Sequence, residues 1–241
     1  MFFFKLKLSY SFKALATIFD VGQQICSNNF RLILKSLSPY KSALIKWQTK
    51  KQIAKLLPDC FKYYPDTRII IIFLELPVQS PSKQSEQKDF YSHHQRRHTV
   101  KFMMGIAPNG FISFVTKVYP GSVCNSVIFS ESNIVNQIDE GDRIMVYKDF
   151  PEVELQKEIV TIIPDKIENN QARFSKEELE ECKRISSVRI HVNQFIERMQ
   201  IFEIVNNEIP RTLLPYISDI IAVCAMSLNL YKPINSSSSD D

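Results

Sequence analysis

The chain has 241 residues, of which 44% are hydrophobic, with only five glycines and twelve prolines. This composition excludes a fibrous or low-complexity protein and allows one sizeable core with a small accessory domain. The five cysteines are odd in number and share no close pair, so neither a zinc knuckle nor a disulfide framework is predicted, and a reducing compartment is expected.

Charge is distributed unevenly along the chain. Residues 1–67 contain eleven Lys or Arg and three Asp or Glu, a balance of +8, whereas the remainder carries −4. A basic N-terminal part favours contact with a polyanion, although a solvated lysine surface explains the same charges. Lys5 and Lys7 interrupt the apolar start before a signal-peptide core is complete, and the most apolar segment, Leu213–Leu230, contains Asp219. We therefore expect a soluble intracellular protein without membrane contact.

The first predicted unit is a pair of short helices within residues 15–36. Asp20-Val21-Gly22 separates them, and a glycine in a short turn between helices is typical of a helix-turn-helix, although an ordinary helical hairpin gives the same pattern. In the second helix, the residues predicted to face inward are Ile25, Phe30, Ile33 and Leu34. The polar residues that it would present to base edges and phosphates of DNA are Gln23, Gln24, Ser27, Asn28 and Arg31.

Ser42–Leu57 is predicted to be one amphipathic helix, ended by Pro58. It carries Trp47 and lysines at positions 46, 50, 51 and 55, and we select Lys50 and Lys51 as candidate contacts to DNA phosphates. Residues 1–57 are accordingly assigned to a basic helical region. Arg68–Leu76 is a continuous β-branched run, which predicts a central strand buried on both faces.

Pro77–Gln95 is polar and predicts a surface excursion, and the three histidines at its end, His93, His94 and His98, indicate a solvated basic loop more than a metal site. Residues 99–118 then alternate between apolar and polar on either side of Pro108-Asn109-Gly110, which predicts a β-hairpin.

The later elements are predicted from caps and periodicity. They are a helical segment at Asn133–Ile138, a strand at Arg143–Tyr147 after Gly141-Asp142, a long helix at Lys176–Ile201, a last helical element at Ile209–Leu230, and a polar tail at residues 233–241. Ser175 and Glu178 form a capping box at the start of the long helix, which we expect to be broken or kinked near its middle.

Four stretches of the chain occur together in one order. They are Pro58–Lys62 with Thr67–Ile70, the hairpin string Thr99–Lys117, the arginine-bearing Ile185–Val192, and Ile220–Ala225 with Asn229-Leu230. These stretches resemble the PIF/Harbinger-type DDE superfamily endonucleases, which are transposase-derived proteins, over about residues 40–232. The resemblance implies an α/β fold in which a ribonuclease-H-like mixed sheet is flanked by helices, in a domain at residues 68–232. Many members carry a small helix-turn-helix upstream, which supports that interpretation of residues 15–36.

In that family, aspartates at strand ends and a glutamate on the late helix hold Mg²⁺ or Mn²⁺, because several carboxylates must offset a pair of divalent cations before phosphate chemistry can proceed. The family helix carries Arg, then Glu four residues later, then Lys seven residues after that. In this chain Arg189 is present, but Asn193 and Gln200 stand at the Glu and Lys positions. The family aspartates correspond to Ile72, Asn125 and Tyr147.

Loss of these four acids implies that the protein is catalytically inactive, with no catalytic residue and no metal or other cofactor expected. The residual candidates are Glu75, Asp149 and Arg189. Glu75 lies near Ile72, and Asp149 follows Tyr147 by two residues on the same strand face, yet one or two carboxylates cannot offset a metal pair. We interpret Glu75 and Asp149 as ordinary solvated acids.

The leading hypothesis is a transposase-derived protein that keeps the fold and binds DNA, in the nucleus by family resemblance. On this hypothesis, replacing Gln23 and Gln24 by Ala reduces sequence preference and leaves salt-sensitive binding largely intact. One alternative is a scaffold for a protein partner that binds no nucleic acid and uses Phe2–Phe4 and Leu213–Leu230. The others are a metal-dependent endonuclease with a relocated carboxylate site and a decayed copy without selected function.

Overall fold

A mixed β-sheet forms the centre of the protein. The computed structural model describes residues 1–147, 160–163 and 176–231. Within these residues the strands are β1 (Thr67–Pro77), β2 (Tyr91–Ser92), β3 (Arg97–Ile106), β4 (Ile112–Val115), β5 (Tyr119–Pro120), β6 (Arg143–Tyr147) and β7 (Val160–Ile163).

The sheet combines antiparallel and parallel pairing around β1. On one side β1 pairs antiparallel with β3, and the far edge of β3 pairs with β4 and β5. On the other side β1 pairs parallel with β6, and β6 pairs parallel with β7. The long β-branched run of β1 therefore occupies the interior of the sheet, as its sequence predicts. The predicted α/β class is confirmed, and the strand order is consistent with a ribonuclease-H-like core.

Helices precede, interrupt and follow the strands. They are α1 (Phe2–Leu8), α2 (Phe12–Ile18), α3 (Gln23–Leu37), α4 (Lys41–Leu44), α5 (Lys50–Lys55), α6 (Gln84–Phe90), α7 (Asn125–Ser132), α8 (Lys176–Gln200), α9 (Glu203–Asn206) and α10 (Ile217–Asn229). Short 3₁₀ turns occur at Ser38–Tyr40, Asp59–Phe61, Ile134–Gln137 and Arg211–Tyr216.

The two faces of β1 contact different helices. Ile70 and Ile72 belong to a large buried cluster with residues of α3, α8 and α10. Ile69 and Ile71 belong to a second cluster with residues of α7. Because side chains alternate along a strand, residues of β1 that are an odd number of positions apart face opposite layers.

The predicted hairpin is confirmed. The Ala107 N–H donates to the Phe111 carbonyl and the Gly110 N–H to the Ala107 carbonyl, each at 2.8 Å. Gly110 has φ = +84°, a conformation that glycine adopts without steric cost, which explains its place in the turn. The side-chain amide of Asn229 then covers the edge of β4: its oxygen accepts from the Ile112 N–H at 2.8 Å, and its nitrogen donates to the Ile112 carbonyl at 2.9 Å.

Several predicted elements differ from the structure. The single helix predicted for Ser42–Leu57 is wrong, because Ile45 is extended and buried and Thr49 begins a separate helix, α5, with a capping box to Gln52. The break predicted in the long helix is also wrong, since α8 is one helix throughout. Helix α7 has no counterpart among the predictions. The capping residue Ser175 and the polar tail lie outside the described residues.

The N-terminal helices pack onto the same core as the sheet. Phe2, Leu6, Phe30 and Leu34 belong to the cluster that contains Ile72. Helices α2 and α3 flank a turn at residues 19–22 and contact each other, so the predicted helical pair is present. Its orientation differs from the prediction, because Ile25 and Ile33 are exposed rather than buried.

The C-terminal apolar segment is part of the core. Arg211–Asn229 is long and apolar enough to cross a membrane, but 56% of it is buried inside the protein. Nine residues of α10 are buried, as is typical of the core helix of a soluble protein.

Candidate catalytic site

The strands place Ile72 and Tyr147 side by side. β1 and β6 run parallel, and Ile72 is in register with Tyr147. The Ile72 side chain is only 1% exposed and lies in the same cluster as Val188 and Val192 of α8. At this position of the central strand an aliphatic side chain is therefore part of the buried core to which α8 also contributes.

Helix α8 carries the three residues predicted from the arginine-bearing signature. Its buried stripe, Val188, Val192, Phe195 and Met199, follows helical spacing and turns this face toward the sheet. Arg189 and Asn193 are one turn apart and half-buried beside the stripe, whereas Gln200 is exposed at the helix end. The predicted shared face of Arg189 and Asn193 is thus confirmed.

Asn125 stands apart from this arrangement. It is the first residue of α7, and α7 packs through Ile128 and Phe129 against the sheet face opposite Ile72. The structure therefore brings Ile72 and Tyr147 together and places Asn125 on a helix of the other layer.

Glu75 also faces the other layer, because it lies three positions after Ile72 on the same strand. Its carboxylate accepts a hydrogen bond from the Thr99 hydroxyl at 2.5 Å and lies 4.0 Å from the Lys101 ammonium group. Lys101 in turn donates to the Val123 carbonyl at 3.4 Å. The Glu75 side chain is 14% exposed, so its interpretation as a solvated acid is wrong.

Gly121 lets the backbone of its loop pack closely against Thr99, whose hydroxyl donates to Glu75. The Gly121 N–H donates to the Thr99 carbonyl at 2.9 Å, and a Cβ at Gly121 would lie 2.1 Å from the Thr99 hydroxyl oxygen. Only glycine allows this close approach. Glu75 therefore joins β1, β3 and the loop before α7, and it does not substitute for a carboxylate at Ile72.

The described residues do not fit a divalent metal pair. Within residues 1–147, 160–163 and 176–231, no group of three or more His, Cys, Asp or Glu could hold a metal ion. A metal pair needs several converging oxygen ligands, whereas the Ile72 position supplies buried hydrocarbon and Glu75 points to the opposite layer. Asp149, the other residual candidate, lies outside the described residues.

One buried polar residue of α8 was not identified from the sequence. His191 is buried with its ring 5.5 Å from that of Phe61, and its Nε2 has no hydrogen-bond partner. Burial lowers the pKa of His191, opposed by a hydrogen bond with the Pro108 backbone. The imidazole is therefore neutral at physiological pH, and its place in the buried stripe of α8 identifies it as a core residue.

The predicted recognition helix presents only part of its polar set. Gln23, Gln24 and Asn28 are exposed, and the Gln24 amide donates to Asn28 at 3.0 Å. Ser27 is buried, and Arg31 is half-buried with its guanidinium 5.5 Å from the ring centre of Tyr216. The expectation that Ser27 and Arg31 face outward is wrong, because α3 turns this side toward the core.

The two candidate lysines of α5 have different surroundings. The Lys50 ammonium group is 2.9 Å from the carboxylate of Asp142, whose side chain is 4% exposed. Asp142 is also 3.7 Å from Arg68. Lys51 is exposed and has no partner among the described residues. Lys50 is therefore held in an ion pair with a carboxylate that Arg68 shares, whereas Lys51 is open to solvent.

Other lysines of residues 1–67 resemble Lys51. Those that are exposed and unpaired within the described part of the chain are Lys7, Lys13, Lys35, Lys46, Lys55 and Lys62. The basic N-terminal part thus presents its charge to solvent on several helices rather than in internal ion pairs.

Comparison with known proteins gives one match. A family model described as DDE superfamily endonuclease matches residues 73–229, which is more than half of the chain and begins directly after Ile72. No curated protein and no solved structure matches.

Proposed function

Because the chain belongs to the DDE superfamily endonucleases, we propose that it is a transposase-derived, PIF/Harbinger-type protein that keeps this fold without cleaving phosphodiester bonds. The scaffold is retained in its mixed sheet, its hairpin and the long helix over the central strand. What the chain lacks is an acid at each of the four positions that correspond to the family's carboxylates: Ile72, Asn125, Tyr147 and Asn193.

The burial of Ile72 is the observation that carries this proposal. Two divalent cations beside a phosphate require several carboxylates, because an uncompensated charge in a partly buried site costs several kcal/mol, on the order of the whole stability of a domain. Ile72 instead contributes to the large buried core that residues of α8 also join. Glu75 cannot compensate from the opposite face, where Thr99 and Lys101 hold it.

A cleavage assay tests the loss of activity. We expect the full chain to leave supercoiled and linear duplex DNA intact in Mg²⁺ and in Mn²⁺, and titration calorimetry to show no saturable binding of either ion. Glu75→Gln and Asp149→Asn serve as paired variants. Metal-dependent cleavage that either variant abolishes would contradict the proposal and establish a relocated carboxylate site.

A second function, binding to DNA, is favoured by the open lysines of residues 1–67. Lys46, Lys51 and Lys55 are exposed and unpaired within the described residues, and such side chains attract phosphates whatever the sequence. Sequence preference would depend on Gln23, Gln24 and Asn28, the exposed members of the predicted set. A nuclear location accompanies this proposal by family resemblance.

A further inference from the structure

Exposed apolar side chains are concentrated on the first three helices. Among the described residues, twenty large hydrophobic side chains are exposed, and ten of them lie within residues 1–33. We use the name N-terminal apolar surface for six of these: Phe4, Leu8, Ile18, Phe19, Ile25 and Leu32. Single exposed hydrophobic residues are ordinary, but a concentration of them marks an interaction site.

One ring contact links α1 with the end of α2, and α3 carries an exposed apolar stripe of its own. Phe4 and Leu8 are one turn apart on α1, and the Phe4 ring lies edge-on to the Phe19 ring at 5.6 Å. On α3, Ile25 is 53% exposed and Leu32 is 65% exposed. Residues seven apart lie on one line of a helix, so these two form a stripe of the kind that receives a second helix. Both α1 and α2 contact α3.

The charges around this surface are almost all positive. Lys7, Lys13 and Lys35 are exposed and unpaired within the described residues, and Asp20 is the sole acidic residue in positions 1–40. Lys35 follows Leu32 by three residues and therefore borders the α3 stripe. A partner with acidic side chains would form favourable charge pairs on this surface. A second copy of the chain would instead bring like charges together.

Amide side chains between the aliphatic ones favour a protein over a lipid surface. Asn28 and Asn29 are exposed on α3 between Ile25 and Leu32, and Asn28 accepts a hydrogen bond from Gln24. Hydrocarbon cannot replace hydrogen bonds that these amides make to water. The polar side chains of a docked helix, and water at its rim, can do so.

We propose that the N-terminal apolar surface docks an acidic amphipathic helix of a partner protein. The apolar face of that helix covers Ile25 and Leu32, and its acidic flanks meet Lys7, Lys13 and Lys35. This mode of recognition joins buried apolar area with charge complementarity at the rim. It does not depend on whether the chain cleaves DNA, but the docked helix would cover Asn28 and so would compete with the proposed DNA contact of α3.

The test uses a fluorescent synthetic peptide of about 18 residues, or five helical turns. Leucines at helical i, i+3 and i+7 spacing form one face, and glutamates fill the rest. We expect anisotropy titration with the full chain to give a Kd in the micromolar range, and Ile25→Ser or Leu32→Ser to weaken binding about tenfold. Ile190→Ser is the matched control, because Ile190 is a helical isoleucine with 56% exposure outside this surface.

Charge is tested separately. The triple variant Lys7→Gln, Lys13→Gln and Lys35→Gln should bind the acidic peptide about tenfold more weakly. The affinity of this variant should no longer depend on salt concentration. A scrambled peptide of identical composition and a peptide with Lys in place of Glu should both bind at least about tenfold more weakly. Circular dichroism melting checks that each variant is folded, which the exposure of the replaced side chains favours.

Four outcomes would overturn the proposal. The first is equal binding of the acidic and scrambled peptides, and the second is no binding of the acidic peptide at millimolar concentration. The third is self-association of the chain that Leu32→Ser abolishes. The fourth is binding to vesicles of equal parts phosphatidylcholine and phosphatidylserine that exceeds binding to the peptide. The third would identify a second copy as the occupant, and the fourth a membrane surface.

Discussion

The layer under α8 and the surface of α1–α3 use apolar side chains in opposite ways. Ile72 is enclosed in the large buried cluster to which α8 also contributes, and we propose that it replaces a carboxylate of the family. Ile25 and Leu32 leave most of their hydrocarbon in water. Burial at the first place stabilises the fold, whereas exposure at the second retains apolar area that a partner can cover. The comparison separates a core that serves stability from an N-terminal surface that we propose as the contact site of a partner.

The largest expected effect comes from placing an acid in the enclosed layer. Ile72→Asp should lower the free energy of unfolding by about 3 kcal/mol or more, because it places a charge without a partner in hydrocarbon. Urea denaturation at pH 7 measures this loss. Ile72→Val, which only removes a methylene group, should cost about 1 kcal/mol. Equal stability of Ile72→Asp and the parent chain would mean that this layer is open to water or to cations.

The second effect concerns Lys5, which is buried on α1 beside the exposed Phe4. Its ammonium group donates to the Tyr10 carbonyl at 2.7 Å, and burial lowers its pKa to about 8 from 10.5. Between these two values the unfolded chain binds more protons at this residue than the folded chain does. Lys5 therefore makes stability rise as pH increases from about 8 to 10.5, and it costs stability below that range.

Urea denaturation at pH 7, 8, 9 and 10 tests this dependence, with Lys5→Met compared with Lys7→Met. Lys7 is an exposed lysine on the same helix. The difference in unfolding free energy between the parent chain and Lys5→Met should move in favour of the parent as pH rises, whereas the difference for Lys7→Met should stay flat. Parallel pH profiles for both variants would show that Lys5 is solvated like Lys7.

The smallest effects concern DNA and compare the two neighbouring lysines of α5. Lys51→Gln should reduce the slope of log affinity against log salt by about 1, because an open charge is lost. Lys50→Gln should change the slope less, since Asp142 already pairs with it. Fluorescence titration of duplex DNA at several salt concentrations measures both. Identical slopes for the two variants would argue against a lysine-directed DNA surface on α5.

In the same titration, the double variant Gln23→Ala, Gln24→Ala should bind different DNA sequences with more similar affinities. The slope of log affinity against log salt should stay unchanged. Ser27→Ala is the matched control within α3, because Ser27 is buried and should not affect DNA affinity. An equal loss of preference for both changes would place the DNA contact elsewhere.

Much of the sheet could be predicted from local pattern. The predictions of the β1 strand and of the hairpin are both confirmed. They could be made because a β-branched run favours a strand and Pro-Asn-Gly favours a tight turn, whatever the rest of the chain does. The break between α4 and α5 was missed although Thr49 and Gln52 form a capping box in the sequence. Between α4 and α5 the backbone is extended at Ile45, whose side chain is buried in the core.

The sequence by itself determined the central strand and the hairpin, because these depend on residue type and short-range spacing, and its resemblance to a family implied the fold class. The tertiary structure decided which side of each element meets solvent. It turned Ser27 and Arg31 inward and Ile25 and Leu32 outward, because the neighbours of α3 fix its rotation. It also paired Glu75 with Thr99 and Lys101, and Lys50 with a distant Asp142. Such pairings join residues far apart in the chain, which no local pattern records.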